Sequence, residues 1–258
     1  MRKPKKLWAA ALAFLLCAVC VVPFLYVFAA SLRDARGAFS LQYYYTVLLG
    51  QSAYLLRFWK SVGLSLCIAL GQVAVSALAA YGFAKHRFPG KNALFVLLTF
   101  LMVLPVQVTL VPNYIILEQT KLLYTYASLI LPAIIVPLGT FILTHSIRAL
   151  PDSVIESARL DGCTLPALLL RVVMPMCKNS LICVFMLSFL DAWNMVEQPI
   201  TYLREFSDYP LSVALASVPP GDPTVLLAAC ILTALPPLFL FAFFNRELTE
   251  GIALGGEQ

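Results

Sequence analysis

The chain has 258 residues, of which 61% are hydrophobic and 12% charged, against about 25% charged in a typical soluble domain. This balance and a mean hydropathy of +0.87 exclude an ordinary soluble domain and indicate a polytopic membrane protein. The net charge of +5 is modest and concentrated near the ends of apolar segments, which indicates membrane orientation and excludes a nucleic-acid-binding protein.

The predicted architecture is all-α, a single membrane domain over 1–258 with six transmembrane helices. The apolar segments lie at 7–30, 61–84, 92–111, 127–147, 178–198 and 223–244, and each is long enough to cross a bilayer as a helix. The first segment is longer than the apolar part of a cleaved signal peptide, so we interpret it as a retained span. Pro105 is expected to bend the third span.

The basic residues are distributed unequally between the two sides of the membrane. Six spans place both termini on one side, and that side carries twelve of the 18 Lys and Arg residues, while the other carries six. By the positive-inside rule, both termini, the 148–177 loop and a polar tail at 245–258 are predicted to be cytoplasmic.

One polar stretch between the fourth and fifth spans, residues 148–177, carries several charges close together. It is predicted to form a short polar helix, a break at Gly162 and a second amphipathic stretch that ends at Pro175. Glycine allows a tight turn, and proline cannot continue the interior of a helix. Such a helix-turn-helix forms a rigid projection that a soluble partner can bind. We call residues 148–177 the knob.

The first helix of the knob offers the candidate contacts with that partner. Glu156, Arg159 and Asp161 are expected to be exposed, and Glu156 and Arg159 can form charge-assisted hydrogen bonds. The small side chains of Ser157 and Ala158 allow a partner to approach closely. Arg159 can also pair with Glu156, three residues earlier on the same helix, and the two arrangements are compatible.

The fifth span holds a second polar group in its outer half: Asp191, Trp193, Asn194, Glu197 and Gln198. Asp191, Asn194 and Glu197 follow one another at intervals of three residues. Gln198 lies four residues after Asn194, so on a continuous helix these four share one face. Charged groups inside a bilayer are costly and usually face a cavity or a partner.

These residue types suit a hydrated path for a hydroxyl-rich solute. Carboxylates and amides form hydrogen bonds with hydroxyl groups, and an aromatic ring stacks on the C–H faces of a sugar. We therefore interpret the five residues as a lining of a translocation path. The alternative is that Glu197 and Gln198 lie at the membrane interface while Asp191 pairs with a neighbouring helix.

The sequence lacks the groups that several other functions need. It contains no Gly-x-x-x-x-Gly-Lys-Ser/Thr phosphate loop, so no ATPase activity is expected on this chain. His86 and His145 have no partner at metal-ligand spacing. We therefore predict no metal site, no cofactor and no catalytic residue on this chain.

The knob resembles the EAA loop of ABC importer permeases, in which Glu-Ala-Ala is followed after three residues by Gly and after nine more by Ile-x-Leu-Pro. Four residues are in register with that pattern: Glu156, Ala158, Gly162 and Pro175. Three positions depart from it by small changes: Ser157, Val172 and Met174. Nearly the whole chain is also similar to the carbohydrate-type ABC importer permeases, the subgroup similar to the maltose-system permease MalG. The similar segments are 39–43, 79–90, 129–132, 189–199 and 234–251.

The resemblance implies the fold of a type I ABC importer permease in the bacterial cytoplasmic membrane, with the knob coupled to an ATPase. It implies a heterodimer with a second homologous permease, two ATP-binding subunits that hold ATP and Mg, and an extracytoplasmic solute-binding protein. It also implies uptake of a mono- or oligosaccharide by alternating access.

Three alternatives stay open at this point. An ABC permease for another solute predicts the same EAA loop without the similarity at 79–90 and at Trp193-Asn194. An ion-coupled secondary transporter would leave the knob without a partner and would place Asp191 and Glu197 at the centre of coupling. An integral membrane enzyme needs a convergent catalytic set, and two isolated His residues argue against one.

Overall fold

The computed structural model describes residues 3–33, 37–50, 52–216 and 223–256, which are mostly helical and contain no β-strand. The all-α prediction is therefore confirmed. Its main helices are α1 (Lys3–Ser31), α2 (Ser52–Lys85), α3 (Lys91–Leu101), α4 (Val106–Gln119), α5 (Ala127–Ala133), α6 (Pro137–Arg148), α7 (Asp152–Leu160), α8 (Leu165–Met176), α9 (Lys178–Trp193), α10 (Glu197–Tyr202), α11 (Leu211–Ala216) and α12 (Pro223–Gly256). Shorter helical segments lie at Gln42–Tyr45, Thr46–Gly50 and Phe206–Asp208. Parts of the predicted loops and tail, at 34–36, 217–222 and 257–258, lie outside the described residues.

Four helical segments of the described chain are long and apolar enough to cross a membrane: Leu12–Ser31, Tyr54–Lys85, Ala127–Arg148 and Val225–Thr249. Two further pairs of helices are long and apolar enough only when the two helices are taken together. In these pairs α3 and α4 meet at an angle of 106°, and α8 and α9 meet at 88°. The number of spans is therefore four, or six if each bent pair crosses once. The prediction of six spans corresponds to the second count.

The third predicted span, 92–111, is not one helix. α3 ends at Leu101, and α4 begins at Val106 in a different direction. Pro105 lies between them with a ψ of 147°, an extended conformation that cannot continue a helix. α4 then continues to Gln119 and includes residues that were expected in a connector.

Three other helix ends differ from the prediction. α2 begins at Ser52 instead of residue 61, and α9 ends at Trp193 instead of residue 198. α12 extends to Gly256 through Phe244, whose φ of −120° interrupts the helix, so the tail is helical over 245–256. Composition marks where apolar side chains stop, whereas a helix ends where its backbone hydrogen bonds end, and the two points need not coincide.

α2 lies at the centre of the fold because it contributes to all three apolar clusters. Tyr81 belongs to a cluster with residues of α6, α7, α8 and α9. Ile68 belongs to a second cluster with residues of α4 and α5, and Ala69 to a third with residues of α9 and α12. Gly139 on α6 allows a close approach, since an added Cβ would lie 2.5 Å from the Ser76 Oγ on α2.

The outer helices present apolar side chains away from the rest of the chain. Phe14 and Phe24 on α1 and Phe243 on α12 are each about three-quarters exposed. Large apolar side chains that face outward on helices of this length suit contact with lipid. This apolar surface is therefore suited to contact with a lipid bilayer.

Candidate functional site: the knob and the polar cavity

The first half of the knob is a helix followed by a tight turn. α7 runs from Asp152 to Leu160, and Gly162 has a φ of +81°, in the left-handed region that favours glycine. The amide N–H groups of Gly162 and Cys163 donate hydrogen bonds to the carbonyl oxygens of Arg159 and Ala158 at 3.0 and 3.1 Å. The predicted break at Gly162 is thus present, and it closes the end of α7.

α7 lies with one apolar face on the bundle and its polar face outward. Ile155 is buried in the apolar cluster that contains Tyr81, and Ala158 packs against the same cluster. The other residues singled out on this helix and turn are exposed: Glu156, Ser157, Arg159, Asp161 and Gly162. Leu160, which the sequence did not single out, is 89% exposed. A soluble partner therefore has access to both charged and apolar groups at this end.

Two polar contacts tie α7 to the end of α2. The Arg159 guanidinium donates a hydrogen bond from Nη2 to the Tyr81 hydroxyl at 2.9 Å, and Tyr81 is almost fully buried. Lys85 Nζ lies 2.7 Å from the carboxylate of Asp152 and 2.7 Å from the Leu150 carbonyl oxygen. The hydrogen bond from Lys85, followed by the attraction of its charge, holds the pKa of the Asp152 carboxyl below its ordinary value.

Arg159 does not use the local partner that the sequence offered. Among the described residues no ion pair joins Arg159 to Glu156. Its partner is instead Tyr81, 78 residues earlier in the chain. Glu156 is thereby left exposed on the polar face of α7.

The second half of the knob returns the chain to the bundle. α8 contains a π-helical turn over Leu169–Val173, and both of these end residues are buried in the same cluster as Ile155. Pro175 lies in the last turn and is exposed, and α9 begins at Lys178 at 88° to α8. The predicted amphipathic stretch is therefore present, and it ends immediately after Pro175.

Asp191, Asn194, Glu197 and Gln198 line a cavity of about 540 Å³ between α2, α4, α5, α9 and α10. Its polar lining consists of Gln72, Thr109, Asn113, Ser188, Asp191, Asn194, Glu197, Gln198 and Tyr202. Asp191 lies thirteen residues after Lys178, and Gln72 lies thirteen residues before Lys85. At the helical rise, both are about 20 Å from the knob end of their helices, which is within the depth of a bilayer.

Hydrogen bonds fix several walls of this cavity. Gln107 on α4 donates through Nε2 to the Glu197 carboxylate on α10 at 2.7 Å. The Tyr202 hydroxyl donates to the Leu110 carbonyl oxygen at 3.2 Å, which joins the same two helices. Gln72 donates to the carbonyl oxygen of Val136 at 3.4 Å, where Pro137 starts a new helix. In the described part of the chain, no hydrogen bond or ion pair involves the Asp191 carboxylate.

The single helical face proposed for these residues is wrong. α9 ends at Trp193, Asn194 caps it, and Glu197 begins the separate helix α10. The tight change of direction between the two helices brings Glu197 and Gln198 to the cavity that Asp191 and Asn194 line. The predicted set is thus brought together, although by two helices instead of one.

Trp193 does not line the cavity. Its side chain is 4% exposed, stacks on Phe189 with ring centroids 5.7 Å apart, and meets Phe58 edge to face at 5.8 Å. This packing places the indole in the apolar core between α2, α9 and α12.

Sequence reasoning missed the residues of the other walls. Gln72, Thr109 and Asn113 are isolated polar residues in apolar helices. The rule that polar groups inside a membrane face a cavity could have identified Gln72, which lies in the middle of a long span.

Known proteins similar to this chain share one class of function. A family model described as "Binding-protein-dependent transport system inner membrane component" matches residues 72–249. The chain is 30% identical over 202 residues to the arabinooligosaccharides transport system permease protein AraQ of Halalkalibacterium halodurans, covering 77% of this chain and 72% of the relative. It is 28% identical over 207 residues to the sn-glycerol-3-phosphate transport system permease protein UgpE of Shigella flexneri, covering 76% and 73%.

Two solved structures share the fold. A chain of a bacterial ABC transporter involved in the import of the acidic polysaccharide alginate superimposes with a TM-score of 0.83 at 16% identity, covering 95% of this chain and 98% of that one. A chain of the alginate ABC transporter in complex with an alginate pentasaccharide-bound periplasmic protein gives 0.67 at 14% identity, with 94% of each chain covered. The family model's match over residues 72–249 includes the knob and all the polar residues that line the cavity. This chain belongs to the family of inner-membrane components of binding-protein-dependent transport systems, as a membrane-spanning permease subunit.

Proposed function

We propose that this chain forms half of the translocation path of an ATP-driven importer for a sugar or oligosaccharide. The observation that carries the proposal is the cavity of about 540 Å³ at membrane depth, where amide, carboxylate and hydroxyl groups line the wall together with apolar side chains. Its volume lies in the range of about 300–1,000 Å³ that is typical of small-molecule sites. The similarity to a permease named for arabinooligosaccharides supports the same class of solute.

The lining matches the hydrogen-bonding needs of a sugar. A hydroxyl group donates one hydrogen bond and accepts others, and the amides of Gln72, Asn113 and Gln198 offer donors and acceptors side by side. The carboxylates of Asp191 and Glu197 accept hydrogen bonds only, when ionised, and charge-assisted bonds of this kind are strong. A solute that exchanges water for these groups therefore keeps its hydrogen bonds inside the membrane.

The exposed face of the knob is proposed as the contact with an ATP-binding subunit. Glu156 and Arg159 supply charges, Leu160 supplies an apolar group, and the small side chain of Ser157 leaves room for a groove, whereas Ala158, which was expected to do the same, packs against the bundle. ATP binding would draw two such subunits together and move the knob with them. Because Arg159 and Asp152 hold the knob to α2, that movement would reach the cavity wall at Gln72, nine residues and about 14 Å along the helix from Tyr81.

The proposed assembly contains a second, homologous permease as a heterodimer partner, two ATP-binding subunits with ATP and Mg, and an extracytoplasmic solute-binding protein. The neighbouring structure in complex with a periplasmic protein supports the last of these. We place the complex in the bacterial cytoplasmic membrane with both termini and the knob on the cytoplasmic side. The excess of Lys and Arg on that side supports this orientation.

A pull-down of the tagged chain from gently solubilised membranes tests the assembly. The unaltered chain is expected to recover an ATP-binding subunit and a second permease. A Glu156→Lys, Gly162→Pro double variant is expected to lose the ATP-binding subunit and keep the second permease, because only the knob is altered. Glu118→Lys makes the same charge change at an exposed site outside the knob and serves as the control.

Two results would contradict the proposal. Recovery of the chain alone in every case would indicate an ion-coupled transporter, with Asp191 and Glu197 as the residues to test. Normal partners combined with no uptake of any sugar, tested first with arabinose oligosaccharides, would leave an importer for a different solute.

A further inference from the structure

The charged groups that line the cavity are all of one sign. Asp191 and Glu197 contribute carboxylates, and no Lys, Arg or His of the described chain belongs to the lining. The remaining polar groups are amides and hydroxyls, which carry no net charge. Among the described residues, a solute in the cavity therefore meets two acidic groups and no basic one.

Two basic residues at the outer end of α2 are engaged elsewhere. Arg57 donates to the carbonyl oxygen of Phe206 at 3.2 Å and lies over its ring at 4.3 Å. Lys60 pairs with Asp208 at 3.5 Å, and it lies twelve residues before Gln72, about 18 Å along α2. Neither of these two cations belongs to the lining of the cavity.

The two carboxylates are held in different ways, and both remain open to the cavity. Glu197 accepts a hydrogen bond from the Gln107 amide, a neutral donor that leaves its charge uncompensated. Asp191 is exposed on the cavity side of α9 and has no hydrogen-bonding partner in the described residues. The apolar surroundings screen charges less than water does, so the field of these groups acts across the cavity.

We propose that this cavity admits uncharged sugars and excludes anionic ones such as uronic-acid oligomers and sugar or polyol phosphates. The proposal rests on the proposed function, because it names the class of sugar for the same path. An anion in the cavity would face two like charges and no basic group of the described residues, and like charges that are not paired destabilise each other. An uncharged sugar instead donates its hydroxyl hydrogens to the same carboxylates.

This selectivity separates the chain from some of the proteins that it resembles. One relative is named for sn-glycerol-3-phosphate and one structural neighbour for the import of acidic alginate, and both names describe anionic solutes. Another relative is named for arabinooligosaccharides, which are uncharged. The negative charge of the cavity therefore favours an uncharged substrate like that of the arabinooligosaccharide permease. Similarity in sequence and fold alone does not decide this, because it extends to proteins named for anionic solutes as well.

The charge of the cavity can be measured without knowing the substrate. The experiment uses the complete transporter in membranes. Its native cysteines are replaced, and Thr109→Cys introduces a single reporter thiol in the cavity wall. The thiol is modified with a cationic and with an anionic methanethiosulfonate reagent, and the ratio of the two rates is normalised to that of a small free thiol. We expect a preference for the cation of about tenfold, as follows from a potential slightly above 1 kT.

Two comparisons assign the preference to the carboxylates. In an Asp191→Asn, Glu197→Gln double variant, which preserves side-chain size, the normalised ratio is expected to fall to about one. Thr125→Cys, exposed and outside the cavity lining, is the matched control and is expected to show a ratio of about one throughout. A ratio at position 109 no larger than that of the control would overturn the proposal.

Protection of the same thiol by sugars tests the substrate class. Arabinotriose is expected to slow the modification of Thr109→Cys, while alginate trisaccharide at the same concentration is not. In the double variant, alginate trisaccharide is expected to protect as well. Equal protection by both sugars with the carboxylates in place would refute the exclusion of anions. A persistent cation preference without protection by either sugar would instead leave the charge of the cavity intact and contradict the sugar path of the proposed function.

Discussion

The knob and the cavity use their polar side chains in opposite ways. The polar groups of the knob come from one contiguous stretch, and most of them are exposed. The polar groups of the cavity come from α2, α4, α9 and α10 and face a shared interior space. The knob can therefore accept a partner without rearranging the bundle, whereas a change in the cavity alters groups on which several helices meet.

The two regions are connected through α2. Tyr81 and Lys85 at one end of this helix hold the knob, and Gln72 farther along lines the cavity. Ser76 lies between them, where Gly139 of α6 packs closely against α2. A helix packed this tightly moves as a unit, because protein interiors are close-packed and transmit displacement. The comparison thus predicts that variants at the knob, along α2 and in the cavity have separable effects.

The largest effect is expected from Gly162→Pro in the knob. Proline cannot adopt the φ of +81° found at this position, and it lacks the N–H that bonds to the Arg159 carbonyl oxygen. Uptake by the complete importer is expected to fall at least about tenfold, while the chain still inserts and still recovers the second permease. Gly162→Asn is the control, because asparagine tolerates a positive φ. Equal loss of uptake in both variants would show that the backbone conformation is not the cause.

Gly139→Ala is expected to disturb the link between the two regions. The added Cβ would lie 2.5 Å from Ser76 Oγ and 2.9 Å from Val184 Cγ1, so α2, α6 and α9 would have to separate. Overpacking of this kind costs about 1–3 kcal/mol, which should appear as a melting temperature several degrees lower for the purified complex. Gly82→Ala is the matched control, since its Cβ would meet no atom within 4 Å. An unchanged melting temperature for Gly139→Ala would contradict the close packing of these helices.

The knob could be predicted from the sequence because its shape depends on neighbouring residues. A glycine that allows a turn and a proline that ends a helix act within a few residues of their own position. The bond from Arg159 to Tyr81 could not be predicted in the same way, because it joins residues 78 positions apart. Local pairing with Glu156 was the only partner that spacing alone could suggest.

The cavity was only partly predictable, since tertiary packing assembles it. Polar residues near the end of the fifth span marked one wall, but the break after Trp193 depends on how α10 packs on α4. Helical geometry could have excluded Trp193, because two residues rotate a side chain by about 200° away from Asp191. Gln72 could have been identified as a polar residue inside a span, but its position across the cavity from Asp191, like that of Thr109, depends on contacts between distant helices.

Tyr81→Phe is expected to have a moderate effect that separates coupling from assembly. The variant removes the hydroxyl that accepts the Arg159 hydrogen bond but keeps the buried ring. Water can replace the Tyr81 hydroxyl at the exposed Arg159 guanidinium, so we assign this bond about 1 kcal/mol, less than the roughly 1.5–3 kcal/mol of a buried bond to a charged group. Uptake per ATP hydrolysed is therefore expected to fall about fivefold. Tyr45→Phe, at an exposed tyrosine away from the knob, is the control. If uptake per ATP stayed the same in both variants, α2 would not depend on this contact to follow the knob.

The smallest effect is expected from the second contact, between Lys85 and Asp152. The Asp152 side chain is 75% exposed, so solvent screens its interaction with Lys85, and surface ion pairs contribute little to stability. Asp152→Asn is therefore expected to leave the melting temperature of the complex nearly unchanged at neutral pH and to change uptake less than Tyr81→Phe does.

The lowered pKa of Asp152 determines how the effect of Asp152→Asn on the melting temperature changes with pH. A carboxyl whose pKa is lower in the folded protein contributes stability above its ordinary pKa, and that contribution is lost as the pH falls through the lowered value. Any difference in melting temperature between the unaltered chain and Asp152→Asn should thus be constant from neutral pH down to about pH 5 and should shrink in more acidic solution. A difference that grew on acidification would show that the carboxylate of Asp152 does not stabilise the knob by accepting the hydrogen bond from Lys85.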